Sequence, residues 1–324
     1  VALFSGQGTQ YLDMGKALTM NFPELRKIYG HLDGLFLQDG LNSLSEAVYP
    51  PPVFEEEHLQ TQIEALRQTE YAQPAIGALS AGLFEIMQRA GFKPDFAAGH
   101  SFGELTALWA AKVLSNEDYF ALVKARGQAM ATSKAPNVEL GAMLAVKAEV
   151  AQIEAVIQDF PQVSIANLNS PQQAVLAGAR SAILSIQERF QSQDILATLL
   201  PVSAAFHTPL VAHAQKPFAK AVDVIVFHPP QIPVYTNVTG KTYPDQPAEI
   251  RKILKGHLLN QVLFKQEIEN IYAAGGTCFV EFGPKAVLTN LVKEILGDQP
   301  HVAVALNASA QQNSDRQFRE AVVQ

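Results

Sequence analysis

Short apolar strand signals and amphipathic helical signals alternate along the whole chain, and this alternation restricts its fold more than any other feature. A chain that inserts a helix between successive strands pairs them in parallel, so the predicted class is α/β with a mostly parallel sheet. VALFSG reads as the first strand, and GQGTQ turns it into an amphipathic helix over YLDMGKALTM. VYPPPVFEEE, with Pro50, Pro51 and Pro52 in a row, reads as a surface loop. The helix QPAIGALSAGLFEIMQRAG is expected to hold Pro74 in its first turn and to end at Gly91. PDFAAGH and FGELTALWAAKVL form a strand and a helix, and NEDYFALVKARGQAMATS is a helix capped by Asn116. PVYTNVTG and CFVEFG read as later strands and AVLTNLVKEIL as a helix.

Between residues 137 and 202 the texture changes to β-α-β-β-α-β, carried by GAMLAVKA, AEVAQIEAVIQDF, VSIANLNSP, QQAVLAGA, RSAILSIQERFQ and ILATLLPVS. That order is ferredoxin-like. The expected organisation is a large α/β-hydrolase-like catalytic domain over residues 1–136 and 203–324, with residues 137–202 inserted as a small ferredoxin-like subdomain. A chain of 324 residues, 48% of them hydrophobic, can bury a core of that size.

Other properties narrow the function. The chain starts at Val1 with no initiator Met and no signal-like segment, as expected of a piece of a longer protein or a trimmed one. No run of about 18 residues is apolar and uncharged, so no membrane span is expected. Cys278 is the only cysteine, which rules out an internal disulfide and a cysteine-based zinc site and suits a reducing cytoplasm. Its setting, GGTCFVEFG, reads as a buried strand, so the thiol is taken as packing. A net charge of −7 argues against nucleic-acid binding. The densest positive cluster, RKILKGH at 251–257, reads as a solvated helix face.

The stretch FAAGHSFGELTALWAA places Ser101 between Gly99 and Gly103, where a strand hands over to a helix. This G-x-S-x-G spacing is that of a nucleophile elbow, whose tight turn admits only small neighbours. The N–H of Phe102 and the positive end of the following helix would face negative charge developing on a bound carbonyl. A serine nucleophile needs a base. Of eight histidines, His207 in VSAAFHTPLV lies where the small subdomain rejoins the large one, a place where clefts form. His100 would point away across the turn, while His213, His228 and His257 lie in polar or proline-rich settings. Pattern alone leaves His207 even with a structural histidine.

GQGTQ at 6–10, YAQPAIGALS from 71, GHSFGE at 99–104, KARGQAM at 124–130, ANLNSPQQAVLAG from 166, AAFHTPL from 204, LLNQV from 258 and EFGPKAVLTNL from 281 follow one another in order. Together they resemble malonyl-CoA:acyl carrier protein transacylases and the acyltransferase domains of polyketide and polyunsaturated fatty acid or enediyne-type synthases. The resemblance implies Ser101 as the acylated nucleophile and His207 as its base and then acid. The N–H groups of Gln7 and Phe102 would form the oxyanion hole, and Gln73 would line the pocket. It implies Arg126 as the clamp on the free malonyl carboxylate, which suits a guanidinium fork, with Met130 packed one turn further along the helix. Asn260 would orient the His207 ring through its backbone carbonyl, so no acidic third member is needed. Phe206 resembles the aromatic of malonyl-selective domains, and Phe102 departs from the residues commonest after the nucleophile.

The implied activity is malonyl transfer from malonyl-CoA, through a serine ester, to the phosphopantetheine thiol of an acyl carrier protein, beside neighbouring synthase domains, with no bound cofactor or metal. Family carriers are acidic, so a positive rim is expected around the cleft. The rival readings are a proofreading acyl hydrolase on the same fold, which a retained Arg126 disfavours, a lipase-type hydrolase, and a catalytically idle docking domain of a synthase.

Overall fold

The computed structural model describes residues 1–131, 139–202 and 204–324. The expected boundary between residues 136 and 137 lies outside the described residues, as does residue 203. Two four-stranded sheets organise the chain. The first comprises β1 (Ala2–Phe4), β2 (Ala97–Gly99), β7 (Cys278–Phe282) and β8 (Val302–Ala305), in the spatial order β2-β1-β7-β8. All three pairings are parallel. The second comprises β3 (Ala142–Lys147), β4 (Val163–Ser170), β5 (Gln173–Gly178) and β6 (Leu196–Leu199), in the order β4-β5-β3-β6, all antiparallel. Helices Val150–Ile157 and Arg180–Gln191 connect β3 to β4 and β5 to β6. Strands β1, β2 and β7 are almost wholly buried, as strands covered on both faces must be.

The helix Thr69–Arg89 runs through the largest core with most of its residues buried, packed against Asn116–Met130. The second sheet has a separate apolar core around Leu144, Leu176, Ile186 and Phe190. Backbone hydrogen bonds tie it to the segment after residue 260, from Leu168 N to Val262 O and from Val262 N to Ala166 O, both 2.8 Å.

Several expectations need correction. Pro74 lies inside the helix, which starts at Thr69. The cap of Asn116–Met130 is Ser115, whose hydroxyl accepts from Asp118 N, while Asn116 Oδ1 accepts from Trp109 Nε1. YLDMGKALTM is helical only from Lys16, because Gly15 takes a left-handed φ of 69° and a Cβ there would lie 2.5 Å from Leu79 Cδ1. PVYTNVTG forms single bridges rather than a strand: Val234 pairs with Ala97, and the chain then turns so that Thr236 and Asn237 meet a buried carboxylate. Cys278 is exposed, because it is the first residue of β7 and the strand is covered only from Phe279 onward.

Candidate active site

Steric crowding sets the shape of the turn around Ser101. A Cβ on Gly99 would lie 2.1 Å from the Gly103 carbonyl carbon, and one on Gly103 would lie 2.0 Å from Phe4 O, so the glycines let β2, β1 and the helix Gly103–Ala110 approach one another. Ser101 itself has φ of 50°, a conformation that costs a non-glycine residue about 1–2 kcal/mol. Asn237 offsets that cost from below: its Oδ1 accepts from Ser101 N at 2.6 Å, and its Nδ2 donates to Gly99 O at 2.7 Å. Both sides of the turn are held by one side chain.

His207 meets the serine from the chain's return out of the second sheet, and its backbone is also left-handed, with φ of 61°. Its Nε2 is 2.7 Å from Ser101 Oγ, and its Nδ1 is 2.9 Å from the Asn260 carbonyl. A carbonyl can only accept, so Nδ1 carries the ring proton and Nε2 presents a lone pair to the hydroxyl. Burial, reinforced by the nearby positive charge of Arg126, pushes the imidazole down to about 3. The ring is therefore neutral at physiological pH and free to accept a proton.

Arg126 is fully buried behind the serine, with Nη2 donating to Ser101 Oγ at 3.4 Å. Its Nε and Nη1 are buried without a partner among the described residues. Burial lowers its pKa to about 9 against the raising effect of Glu104, which still leaves the guanidinium charged at neutral pH. The Phe102 ring lies 5.8 Å from the Arg126 guanidinium and is likewise buried, so it packs behind the turn instead of shaping the cleft.

A cleft of about 320 Å³ opens in front, walled by Gln7, Gln73, Met130, Phe206, His207 and Ser101 among others, with Met143, Val175 and Asn169 contributed by the second sheet. Gln73 Nε2 donates to Gln7 Oε1 at 3.0 Å and contacts Met130 Sδ at 3.5 Å. The N–H groups of Gln7 and Phe102 have no protein acceptor among the described residues. His100 turns away from Ser101, as expected, to pair with Asn169 Oδ1 at 2.8 Å. All nine expected site residues thus gather at one turn, although Arg126, Phe102 and Asn260 stand behind the cleft wall.

Sequence reasoning missed the floor beneath this turn. Glu104 accepts from Asn237 N at 2.6 Å, from Thr236 Oγ1 at 3.2 Å and from Tyr243 Oη, and His257 Nε2 lies 3.5 Å from its Oε2. Glu267 Oε1 accepts from Asn237 Nδ2 at 2.9 Å. Both carboxyls are fully buried; desolvation raises Glu104 to about 7 against its hydrogen bonds, and desolvation plus the charge of Glu104 raises Glu267 well above its usual range. His257, placed by sequence in a polar setting, is buried with its ring 5.6 Å from that of His207, and burial drives it well below its usual value. A signal existed: Glu104 sits within the apolar run GELTALWA, and a charge inside such a run implies a buried partner.

Among the described residues no three His, Cys, Asp or Glu side chains group to hold a metal ion, and no helix is long and apolar enough to cross a membrane. The acyl transferase domain family matches residues 1–322. The chain is 36% identical, over its full length, to one of the polyunsaturated fatty acid synthase proteins of Thraustochytrium sp., but spans only 12% of that relative. It is 32% identical to the malonyl CoA-acyl carrier protein transacylase of Bacillus subtilis, covering 90% of this chain and 89% of the relative. Among solved structures it resembles a malonyl-transacylase in complex with its type II polyketide synthase acyl-carrier protein, with a TM-score of 0.83, 30% identity and 98% coverage of each chain.

Proposed function

Because this chain belongs to the acyl transferase domain family, we propose that it moves a malonyl group from malonyl-CoA to the phosphopantetheine thiol of an acyl carrier protein. In the loading half, Ser101 Oγ attacks the thioester carbonyl while His207 Nε2 takes the hydroxyl proton. The tetrahedral oxyanion lies between the unpaired N–H groups of Gln7 and Phe102. Collapse breaks the carbon–sulfur bond, and His207 returns the proton to the departing CoA sulfur. In the second half the carrier thiol gives its proton to His207 and attacks the serine ester, and Ser101 leaves with that proton. The Asn260 carbonyl keeps the imidazole in the required tautomer, so no acidic third member is assigned. A thioester is reactive enough that no bound cofactor is assigned.

The observation that carries this reading is a buried guanidinium, without a partner at Nε and Nη1 among the described residues, one hydrogen bond from the Ser101 hydroxyl. A charged guanidinium with donors left open beside the nucleophile calls for an anion, and the free carboxylate of a malonyl group supplies one. Gln73 and Met130 would hold the acyl group beside it, and Phe206 would crowd an α-methyl substituent. We read the second sheet and its two helices as a ferredoxin-like subdomain inserted in an α/β-hydrolase-like body, with boundaries at residues 137 and 202. Neighbouring synthase domains and a cytoplasmic setting belong to the same reading.

The direct test is to present the malonyl-CoA-treated protein, freed of CoA, to a holo-carrier and to weigh the carrier. Malonyl-carrier is the expected product. Free malonate instead would assign the site to hydrolysis, and no consumption of malonyl-CoA would assign the chain to docking.

A further inference from the structure

A second groove, about 330 Å³, adjoins the catalytic cleft and shares Gly8 and Pro201 with it. Gly8 belongs to the GQG turn, whose neighbour Gln7 walls the cleft. Tyr11, Leu59 and Ile63 give the groove an apolar side, while Lys285 and Arg67 give it positive charge in a chain whose net charge is −7.

The two cations differ. Arg67 Nη1 pairs with Glu64 Oε2 at 3.2 Å across a largely solvated surface. Lys285 is half-buried and has no carboxylate or hydrogen-bond partner among the described residues. Burial and then the charge of Arg67 lower its pKa, as an amine facing another cation without an anion requires. Its backbone is left-handed, with φ of 66°, where glycine would carry no strain. A lysine in a glycine-favouring turn, close enough to a second cation to feel its charge, has a local cost and no compensating contact among the described residues. Val287 and Leu288, just beyond it, wall the catalytic cleft, so the loop that positions the ammonium also borders the acyl group's site.

We infer that Lys285 and Arg67 bind the phosphates at the nucleotide end of the acyl-CoA donor, with its adenosine laid against Leu59 and Ile63. This rests on the malonyl-transfer reading for its substrate. The chemistry recognised is a polyanion on an apolar base, which matches a concave groove with cations at one side. The carrier's own phosphopantetheine offers a single phosphate, whereas the nucleotide end of CoA carries three.

The experiment compares wild type with Lys285→Gly, which removes the charge and relieves the backbone, and with Arg67→Gln. Three reactions are followed on each protein: loading of the serine from malonyl-CoA, loading from malonyl-N-acetylcysteamine, which lacks the nucleotide, and transfer to a holo-carrier. Lys285→Gly is expected to raise the half-saturating malonyl-CoA concentration about tenfold, and Arg67→Gln, whose charge Glu64 already shares, by less. Loading from the truncated thioester should be unchanged. Equal losses with both thioesters, no change with malonyl-CoA, or a loss confined to the carrier step would overturn the inference. Calorimetric titration with CoA alone reads the same pair without acyl transfer: a Kd weakened about tenfold in Lys285→Gly supports the site and an unchanged Kd overturns it. If wild type binds CoA but loads from neither thioester, the transfer reading fails and the groove is still judged by that titration.

Discussion

The two sides of the Ser101 turn are built on opposite rules. The cleft side keeps its donors open: the Gln7 and Phe102 amides, and Arg126 at Nε and Nη1, await an acceptor that the described residues do not supply. The floor side turns most of its polarity inward, with Asn237 pairing Ser101 N, Gly99 O and Glu267 Oε1 while its own N–H goes to Glu104, and only Glu267 Oε2 and His257 Nδ1 are left without a partner among the described residues. Open polarity suits a surface that will meet charge in a transition state, and closed polarity suits one that must hold a strained residue still. Arg126 belongs to both, since it touches the nucleophile while its charge is felt by Glu104.

The contrast can be broken from either side. The largest effect is expected from His207→Ala, which removes the base and should slow serine loading about 10,000-fold in single-turnover assays while leaving the floor and the folding midpoint nearly intact. Arg126→Ala should cost malonyl loading about 3–5 kcal/mol, about 150- to 5,000-fold, and abolish its preference over acetyl. Because that guanidinium also faces Glu104, Arg126→Ala should destabilise the fold as well, which His207→Ala should not.

Asn237→Ala strikes the floor alone. It leaves the Ser101 amide, the Gly99 carbonyl and Glu267 without a partner, so the unfolding free energy should fall by about 3 kcal/mol in denaturant titration, with loading slowed about 10- to 100-fold. Loss of stability without loss of rate would show that the turn holds itself.

The sign of the pH effect follows from the imidazole. With its folded pKa pushed down to about 3, His207 stays neutral well below the ordinary histidine value of 6.5, so loading kcat/KM should stay flat from neutrality down to about pH 5. An acid limb near the ordinary histidine value would show that solvent reaches the ring. The same shift makes the folded state bind fewer protons than the unfolded one between about 3 and 6.5, so this group's contribution to stability grows as pH rises through that window. Glu104 acts in the opposite sense, since its raised pKa favours folding at acidic pH and that contribution fades as pH rises through about 7. The smallest effect is expected at Phe206, where Phe206→Ala should improve methylmalonyl loading relative to malonyl by about 1–3 kcal/mol.

The cleft side was legible in the sequence because its chemistry is written in short local patterns. GHSFG requires small neighbours around Ser101, whereas Arg126, 25 residues later on the second helix after the turn, reads locally as a surface residue and is assigned its role only by the family resemblance. The helix Arg180–Gln191 was readable to the residue, since its apolar positions recur with helical spacing. The floor was less legible because its partners lie 20 to 153 positions apart, and only the three-dimensional fold brings Glu104, Tyr243 and His257 together. PVYTNVTG shows why: its strand-like composition is overridden by one buried carboxylate that captures Thr236 and Asn237.

The most direct measurement is the intact mass of the protein after brief exposure to malonyl-CoA or acetyl-CoA, in wild type and in Ser101→Ala. A malonyl adduct that dominates over acetyl in wild type and is absent without the serine hydroxyl is the predicted result. Equal loading by acetyl, or an adduct that survives Ser101→Ala, would contradict it.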